Sequence, residues 1–469
     1  MTPFFLELGV GLLALVVFLA TLVGRGDDRR WIGWLSAAGV LLLTGAALAL
    51  PPTPPALGGM FVQDGLALFA KRLFLVATFI GLLGGLAQPG QVFARRAGEY
   101  HLLMLASLLG MLVLASARDL VLLFVAFELM SIPLYVLSGF AKREGTSVEA
   151  ALKFFLVGSV SSAVMAYGLS FVYGAARTTS LAGVARALGA GDPLLVLGLL
   201  AAFAGFAFKI AAVPFHMWVP DTYEAAPTPF VAWLSVAPKA AGFIALFRVY
   251  FEGVGTEVER WIPMAAALAT VTIVAGNLMA LPQQNAKRLL AYSGIAHIGY
   301  MLVGFAAASV AGTAMVLFYL VAYVFGNMGA FLVVDALARA EGSEHLSAFR
   351  GLAQRSPLLA LAMLLFLLSL GGIPFVAGFW AKLYVFWAAA VAGLYWLVLV
   401  GAVLTVVALF YYLIVAKRMY IEPPVRTDRV RLPTTLALAV LLCVLGVVIL
   451  GVYPKPVVMA ALRVAAPLF

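Results

Sequence analysis

The sequence predicts an all-α, polytopic membrane protein with about fourteen transmembrane helices, and three observations lead to that fold class. Hydrophobic residues make up 64% of the 469 residues, and charged residues make up only 11%. The apolar residues form runs of about 20, the length that crosses about 30 Å of hydrocarbon as a helix. A typical soluble chain has a charged fraction of about 25%. These observations exclude a soluble enzyme.

The apolar runs divide into fourteen predicted spans. They begin near Phe4, Trp31, Leu66, His101, Leu120, Ala150, Pro193, Pro229, Trp261, Arg288, Ala311, Leu358, Tyr395 and Pro433. The segment from Ser356 to Ala416 is long for two ordinary crossings and carries one charge, so we expect a bend, with the turn at Gly393. No small-residue cleavage site in a polar setting follows the first span, which we therefore interpret as a retained helix rather than a signal peptide.

Loop charge predicts the orientation of the spans. Eighteen Lys and Arg residues lie in loops after odd-numbered spans, and seven lie after even-numbered spans or in the C-terminal tail. Because Lys and Arg are retained on the cytoplasmic side during insertion, both termini are expected on the non-cytoplasmic side. The net charge of +10 is explained by these loops, and it gives no reason to expect a nucleic-acid partner.

Two spans are predicted to be broken helices. Pro214 precedes Phe215 in span 7, and Pro374 precedes Phe375 in span 12; each proline removes a helical hydrogen bond inside a long apolar run. Five crossings separate the two spans, so the units around them would be inverted repeats, as in many secondary transporters. The alternative is two unrelated proline kinks. Broken helices at membrane depth require protein or water to satisfy the freed carbonyls.

Four charged residues are predicted near the middle of spans. Glu128, Lys209, Lys239 and Lys382 are each the only ionisable residue of a long apolar segment. Insertion scales put the cost of such a charge at about 3 kcal/mol, so we expect a functional reason for each. The structural alternative is that these residues pair to lock helices together. One carboxylate cannot neutralise three lysines, and the excess favours proton-holding sites.

Burial favours the neutral form of a lysine, and a nearby carboxylate favours its charged form. If Glu128 faces Lys209, a change in their separation would release or recapture a proton, which Lys239 would receive. His297 could bridge Lys239 to Lys382, although a lone histidine in an apolar helix is more often a hydrogen-bonded packing residue. His216 could line a water entrance at the broken span 7, or it could serve as a cap.

The remaining polar residues of this region favour structural roles. We interpret Asp221 and Glu224 as an interfacial turn that caps span 8. Lys153 either extends to the membrane surface or lies within range of Glu128, and both alternatives stay open.

The sequence provides no basis for a redox or nucleotide cofactor. It contains no Gly-x-x-x-x-Gly-Lys-Ser/Thr run and no Gly-x-Gly-x-x-Gly after a strand. Cys443 is the single cysteine, and the four histidines lack metal-ligand spacing, so we expect neither a cofactor nor a metal. An ion gradient or a partner subunit must therefore drive any proton movement.

Several segments resemble one family, the antiporter-like membrane subunits of respiratory complex I, a proton-translocating NADH:quinone oxidoreductase. The run FKIAAVPFHMWVP at 208–220 and the following DTYEAAPTP are similar to the family's broken seventh helix. LFVAFELMSIPLY at 123–135 resembles its glutamate helix, and AKRLLAYSGIAHIGYMLV at 286–303 resembles its tenth helix. The resemblance covers nearly the whole chain.

Within that superfamily the chain is most similar to the subunit N family. The segment 148–181 resembles that family, and the last buried charge, in GIPFVAGFWAKLYVF at 372–386, is a lysine where the subunit M type would have a glutamate. The subunit L type is disfavoured because the sequence ends soon after span 14, without room for a long lateral helix. The resemblance implies a bacterial plasma (inner) membrane.

The resemblance also implies roles and partners. Glu128 and Lys209 would be the conformationally coupled pair, Lys239 the central relay site and Lys382 the terminal proton site. The expected organisation is an N-terminal segment (1–100), two inverted five-helix repeats (101–252 and 253–416) and a C-terminal segment with span 14 (417–469).

Partner subunits of the complex would supply flavin, iron-sulfur clusters and quinone, with neighbouring antiporter-like and small membrane subunits in direct contact. Two alternatives stay open. The chain could belong to a multi-subunit cation/proton antiporter, or it could be a purely structural membrane subunit.

Overall fold

The computed structural model describes residues 2–24, 28–88, 90–141, 145–188, 193–253 and 261–469. Among these residues the regular structure is helical, and β-type pairing is limited to isolated bridges between loops. The predicted all-α membrane architecture is confirmed.

Thirteen helices of the described residues are long and apolar enough to cross a membrane. Spans 1 to 7 are Phe5–Val23, Arg30–Ala49, Gly65–Leu86, Ala97–Ser116, Leu120–Ser138, Gly145–Ala176 and Pro193–Ile210. Spans 8 to 11 are Thr228–Glu252, Ile262–Ala280, Ala286–Ala306 and Val310–Glu341, and spans 13 and 14 are Tyr395–Tyr420 and Thr434–Val452. Two shorter helices, Pro357–Gly371 and Ala377–Val391, together form span 12, which completes the predicted set.

Spans 7 and 12 are broken where the sequence predicts. The first half of span 7 ends at Ile210, and a second helix, Trp218–Ala225, follows the intervening turn. Span 12 ends its first half at Gly371, and the next residue, Gly372, has a left-handed backbone with φ of 81°. The turn between spans 12 and 13 also lies where it is predicted, with Gly393 at a φ of 80°.

Span 8 contains an interruption that the sequence analysis did not identify. It consists of the helix Thr228–Leu234, the helix Ala237–Phe247 and a π-helical turn, Arg248–Glu252. Pro238 lies at the start of the middle helix, where its missing N–H is tolerated. This proline was the available sequence signal, and the interruption brings Lys239 to the first turn of a helix.

The loops alternate between the two ends of the helical bundle. At one end, backbone bridges join the loops after spans 2 and 4 (Phe61 with Ala117) and the loops after spans 4 and 6 (Asp119 with Ser180). At the other end, Asn285 after span 9 bridges to His345 after span 11. Loops after even-numbered spans thus gather at one end, which we call the even end, and the opposite end is the odd end.

The interior of the bundle is formed mainly by spans 8, 10 and 11, whose residues are almost all buried. Spans 1, 2, 13 and 14 expose most of their apolar surface outward, as expected for helices that contact lipid or other membrane proteins. A short helix, Lys455–Ala465, follows span 14 and packs against spans 3 and 11, where the sequence predicts only a C-terminal tail.

Candidate functional site

Glu128 and Lys209 lie on spans 5 and 7, but serine side chains rather than a direct ion pair hold them. The hydroxyl of Ser162 donates to Glu128 Oε1 at 2.5 Å, and Lys209 Nζ donates to Ser131 Oγ at 2.7 Å. Ser131 follows Glu128 by three residues on span 5, so both lie on the same face of the helix. The two hydrogen bonds share no atom, and Glu128 and Lys209 lie within electrostatic range of each other. The predicted pairing is therefore indirect in this conformation.

Lys209 occupies the last turn of the first half of span 7, just before the helix breaks after Ile210. Its side chain is buried, and Nζ lies 4.9 Å from the centre of the Phe127 ring. Free carbonyls at a helix C-terminus favour a positive charge, and so does the face of an aromatic ring. Helix break and ring together make this position tolerant of an ammonium group without an ion-pair partner.

Lys239 lies in the first turn of the helix Ala237–Phe247 of span 8. It is 1% exposed, and its Nζ has no hydrogen-bond partner among the described residues. The nearest aromatic face is that of Tyr223, at 5.4 Å from Nζ. A buried ammonium without a partner is costly, so the group must bind water or lose its proton. Either outcome fits a proton-holding site better than a structural charge.

His297 lies in span 10 between Lys239 and Lys382, and it interacts electrostatically with both lysines. Its two ring nitrogens contact tyrosine hydroxyls: Nδ1 lies 2.8 Å from Tyr319 Oη, and Nε2 lies 3.3 Å from Tyr412 Oη. Both hydroxyls can donate or accept, so the ring can keep partners in either protonation state. The predicted bridging position is thus occupied by a histidine that is hydrogen-bonded at both nitrogens.

Lys382 lies in the second half of span 12 and reaches back to the break. Its Nζ donates to the carbonyl oxygen of Gly371 at 3.3 Å and lies 4.7 Å from the centre of the Tyr300 ring. The Gly371 carbonyl is one of those freed at the end of the first half-helix. Lys382 has no ion-pair partner among the described residues, so it is held by a neutral group.

His216 lies in the turn between the two halves of span 7 and is half buried. Its Nδ1 has no hydrogen-bond partner among the described residues, and no hydrogen bond links its ring to Glu128, Lys209, Lys239, His297 or Lys382. The structure therefore relates Glu128 to Lys209 through adjacent serines and His297 to Lys239 and Lys382, and it gives His216 no such link.

A cavity of about 820 Å³ opens at the odd end and is lined by charged residues. Lys153 Nζ lies 3.0 Å from Asp221 Oδ2, and Arg288 binds both Asp221 and Glu224 at 2.8 Å. Lys153 therefore contacts Asp221 and not Glu128. This contact favours the predicted extension toward the membrane surface over the predicted proximity to Glu128. Asp221 and Glu224 brace the second half of span 7 against spans 6 and 10.

A second group of charges at the even end was missed in the sequence analysis. Arg248 is fully buried and binds both Asp64 and Glu252, and Arg118 binds the same two carboxylates. Arg248 is one of the seven basic residues that loop charge assigns to positions after even-numbered spans or in the C-terminal tail, but it begins the π-helical turn that ends span 8. Glu252 lies only four residues after Arg248, whereas Asp64 is distant in sequence, so apolar periodicity alone gave no signal for the whole cluster.

Lys71 is a further buried lysine that sequence reasoning left without a role. It is fully buried in span 3, and its Nζ lies 2.6 Å from Glu7 Oε1 of span 1. Gln63 accepts a hydrogen bond from the same Nζ at 3.2 Å. A buried lysine with a carboxylate partner is a fixed helix-to-helix contact, in contrast to Lys209, Lys239 and Lys382.

Within the described residues, no group of three or more His, Cys, Asp or Glu side chains could hold a metal ion. The site is instead a series of single ionisable groups, from Glu128 through Lys209, Lys239 and His297 to Lys382. Hydroxyl groups and aromatic rings lie beside these groups. Such a series can hold and exchange protons.

Comparisons with known proteins place this arrangement in a family. Residues 117–408 match the family described as NADH:quinone oxidoreductase/Mrp antiporter, TM. NADH-quinone oxidoreductase subunit N of Moorella thermoacetica is 42% identical over 465 residues, which covers 98% of this chain and 96% of that protein. The chain belongs to the subunit N family. The predicted resemblance is thereby confirmed.

Solved structures agree with this membership. A chain in respiratory complex I from Thermus thermophilus with bound aureothin superimposes with a TM-score of 0.83 at 33% identity, covering 97% of this chain and 99% of that one. A chain in the Mrp complex from Dietzia sp. DQ12-45-1b gives a TM-score of 0.91 at 22% identity and covers 100% of this chain and 98% of that one. The second likeness shows a shared fold alone.

Proposed function

We propose that this member of the subunit N family is a proton-translocating membrane-arm subunit of NADH:quinone oxidoreductase. The observation that carries the proposal is the row of groups from the half-buried Glu128 to the buried Lys382, in which none of the three lysines has a direct carboxylate partner among the described residues. Full-length similarity to subunit N of Moorella thermoacetica supports this function over that of a separate cation/proton antiporter.

In the proposed mechanism, the separation of Glu128 and Lys209 controls the first proton. A shift of span 5 against span 7 that brings the carboxylate to Lys209 favours the protonated lysine, and the present serine-held arrangement weakens that preference. The released proton passes to Lys239, then to His297 and finally to Lys382. His216, in the turn of broken span 7, lines the access of water to Lys209.

The chain contributes no redox step in this proposal. Flavin, iron-sulfur clusters and quinone belong to partner subunits, and quinone reduction there supplies the free energy. The enzyme is therefore the whole translocase, of which this chain is one membrane subunit. Neighbouring antiporter-like and small membrane subunits contact its outward-facing spans.

The proposed organisation keeps the two five-helix units, 101–252 and 253–416, as inverted repeats. Two features support it. Each broken span follows a helix of 32 residues, Gly145–Ala176 or Val310–Glu341, and each break carries a buried lysine, Lys209 or Lys382. The odd end carries most basic loop residues, which supports a cytoplasmic odd end and non-cytoplasmic termini in a bacterial plasma membrane.

Replacement of Lys239 tests the proposed function. Lys239→Met keeps the length of the side chain but cannot hold a proton, so we expect assembled complex that takes up almost no protons during NADH oxidation. Proton uptake by sealed vesicles is measured and normalised to the amount of complex in the membrane. Lys417→Met, at an exposed position in the last turn of span 13, is the control and should pump normally.

Full proton uptake by assembled Lys239→Met would overturn the function proposed for the row. Purification of the complex in mild detergent tests membership independently. The chain should copurify with other membrane subunits and with NADH dehydrogenase activity. Purification of the chain with an antiporter complex that lacks this activity would favour the alternative function.

A further inference from the structure

Asn277 is a buried amide in span 9 that does not belong to the row of ionisable groups. Its side chain is fully buried, and it is the only amide or charged residue of the helix Ile262–Ala280. A polar side chain inside a membrane span needs hydrogen-bond partners and often marks a functional position. The partners of Asn277 therefore indicate what it does.

The amide of Asn277 joins spans 9, 10 and 13. Its Nδ2 donates to Tyr300 Oη of span 10 at 3.2 Å and to the carbonyl oxygen of Ile273 at 2.9 Å. Its Oδ1 accepts a hydrogen bond from the Tyr411 hydroxyl of span 13 at 3.1 Å. Thr405 of span 13 interacts with the same Tyr300 hydroxyl. Because both ends of the amide are used, its orientation is fixed, and it anchors the hydroxyl end of Tyr300.

The ring of Tyr300 contacts the last two groups of the row. Lys382 Nζ lies over the ring, 4.7 Å from its centre, and the His297 ring is nearly perpendicular to it with centroids 5.9 Å apart. Phe386, one helical turn after Lys382, also packs nearly perpendicular to the Tyr300 ring, at 6.0 Å. An aromatic face stabilises an ammonium group within about 6 Å of its centre, and more strongly where water is excluded. The position of this ring therefore affects the stability of the protonated lysine.

We propose that Asn277 is a positioning residue for the last proton transfer of the row, from His297 to Lys382. The inference rests on the proposed function. The transfer breaks an N–H bond of the protonated His297 ring and forms one at Lys382 Nζ, which leaves a neutral histidine and an ammonium group over the Tyr300 ring. Asn277 acts through Tyr300, since its amide keeps the ring from turning away from Lys382.

Asn277→Leu is the direct test, because leucine has a similar volume and no hydrogen-bonding side chain. The complex should assemble, while proton uptake per complex should fall about fivefold or more because a ring that is not anchored disturbs the transfer geometry. The solvent deuterium isotope effect on proton uptake should rise, since the transfer to Lys382 becomes rate-limiting. Loosened packing alone would not raise that isotope effect.

Tyr300→Phe provides a second variant that adds no atoms and keeps the ring. It removes the hydroxyl that Asn277 binds, so it should lower proton uptake and raise the isotope effect even if Asn277→Leu reduces the amount of complex. The double variant should pump no worse than the poorer single variant, because both changes break the same contact. Two independent packing defects would instead multiply their losses.

Two controls match these changes. Tyr250→Phe removes a buried tyrosine hydroxyl that donates to the Leu199 carbonyl oxygen at 2.8 Å. Thr78→Val preserves the shape of the side chain and removes a hydrogen bond between two spans, which Trp233 Nε1 donates to Thr78 Oγ1 at 3.0 Å. Both controls should show normal proton uptake per complex and an unchanged isotope effect.

The outcomes separate this inference from the proposed function. If Lys239→Met abolishes proton uptake while Asn277→Leu and Tyr300→Phe pump at the normal rate, the positioning role is wrong and the function stands. If Lys239→Met itself pumps normally, the proposed function fails, and this inference fails with it. Multiplied losses in the double variant, or equal losses in the test and control variants, would also overturn the positioning role.

Discussion

At the scale of single residues, the molecule contains two classes of buried cation. Lys71 and Arg248 contact carboxylates directly, whereas Lys209, Lys239 and Lys382 contact a hydroxyl, an aromatic ring or a backbone carbonyl. Direct pairing fixes a charge, because removal of either partner strands the other. A cation held by neutral groups is free to lose its proton, so the second class is suited to proton transfer.

Replacement of Glu128 or Lys209 should lower proton pumping and leave assembly of the complex intact. Lys209→Met removes the titratable amine, and Glu128→Gln removes the charge that controls it, so both should lower proton uptake per complex severely. Glu128→Asp keeps the charge at shorter reach and should retain part of the activity. Proton uptake by sealed vesicles is the measurement, and normal uptake in both Lys209→Met and Glu128→Gln would contradict the pairing.

Substitutions at Lys382 distinguish a fixed structural charge from a site that exchanges protons. Its partner is the Gly371 carbonyl, so Lys382→Ala strands no carboxylate and should assemble, while proton uptake per complex falls. Lys382→Arg keeps a charge that is not released readily, because a guanidinium stays protonated in nearly any site, and it should also impair pumping. Immunoblots of membranes give assembly. Normal pumping by Lys382→Arg, or loss of complex in Lys382→Ala, would make Lys382 a structural charge.

At the scale of elements, the helix breaks create the positions that these lysines occupy. Breaks in spans 7 and 12 leave carbonyls free inside the membrane, and the interruption of span 8 precedes Lys239 by only a few residues. A continuous helix would satisfy its own carbonyls and offer nothing to an ammonium group. The break in span 12 accordingly supplies the Gly371 carbonyl that accepts a hydrogen bond from Lys382.

Substitution of Gly372 tests whether the backbone at the break of span 12 positions Lys382. A Cβ at this position would lie 2.9 Å from Lys382 Cδ, and the backbone has a φ of 81°. Gly372→Ala should therefore displace Lys382 and lower proton uptake, in addition to straining the backbone by about 1–2 kcal/mol. Gly393→Ala is the matched control, because it has the same strain at a φ of 80° and no atom within 4 Å of its Cβ.

The comparison of proton uptake with thermal unfolding separates the two effects of Gly372→Ala. Both variants should lower the unfolding temperature by a similar amount, and only Gly372→Ala should lower proton uptake. An equal effect of both variants on proton uptake would mean that strain, and not the contact with Lys382, is responsible.

At the scale of the whole molecule, each end of the bundle contains a cluster of ion pairs. The interior contains the ionisable groups of the row, which have no ion-pair partner among the described residues. The cluster at the even end connects three segments through ion pairs. Asp64 precedes span 3, Arg118 follows span 4, and Arg248 and Glu252 end span 8. Arg248→Met should leave two carboxylates without their buried partner and cost about 3–5 kcal/mol. We therefore expect less assembled complex, in contrast to Lys239→Met. Normal amounts of Arg248→Met complex would contradict a structural role for this cluster.

The same cluster gives an expectation for pH. Burial raises the pKa of Asp64. The charge of the Arg248 guanidinium, the hydrogen bonds that Arg248 donates and the charge of Arg118 outweigh burial, so the pKa lies below its ordinary value of 3.8. A depressed pKa stabilises the folded state above the unfolded-state pKa, and this contribution is lost as pH falls through the lower folded value. Asp64 should therefore contribute equally at pH 6 and pH 8.

The unfolding temperature of the solubilised complex, measured against pH, checks this expectation. Wild-type protein should lose stability relative to Asp64→Asn only below about pH 4, because the carboxylate of free aspartate has a pKa of about 3.9. If the difference in unfolding temperature between wild-type protein and Asp64→Asn changed between pH 6 and pH 8, another titratable group would control stability at the even end.

The sequence by itself determined the membrane class, the fourteen spans, the breaks in spans 7 and 12 and the isolated lysines inside spans 7, 8 and 12. Each of these depends on local composition: apolar runs of membrane length, prolines inside them, and single charges whose burial is costly. Lys209, Lys239 and Lys382 were accordingly visible without any knowledge of their neighbours.

Only the tertiary structure decided which groups meet. It separates Glu128 from Lys209 by serine contacts, gives Lys382 the Gly371 carbonyl and joins Asn277 to Tyr300. It also pairs Lys71 with Glu7 and Lys153 with Asp221. In a bundle of near-uniformly apolar helices, periodicity does not specify which helices are neighbours. The partners of a buried charge are therefore fixed by packing between distant segments, which no single apolar run encodes.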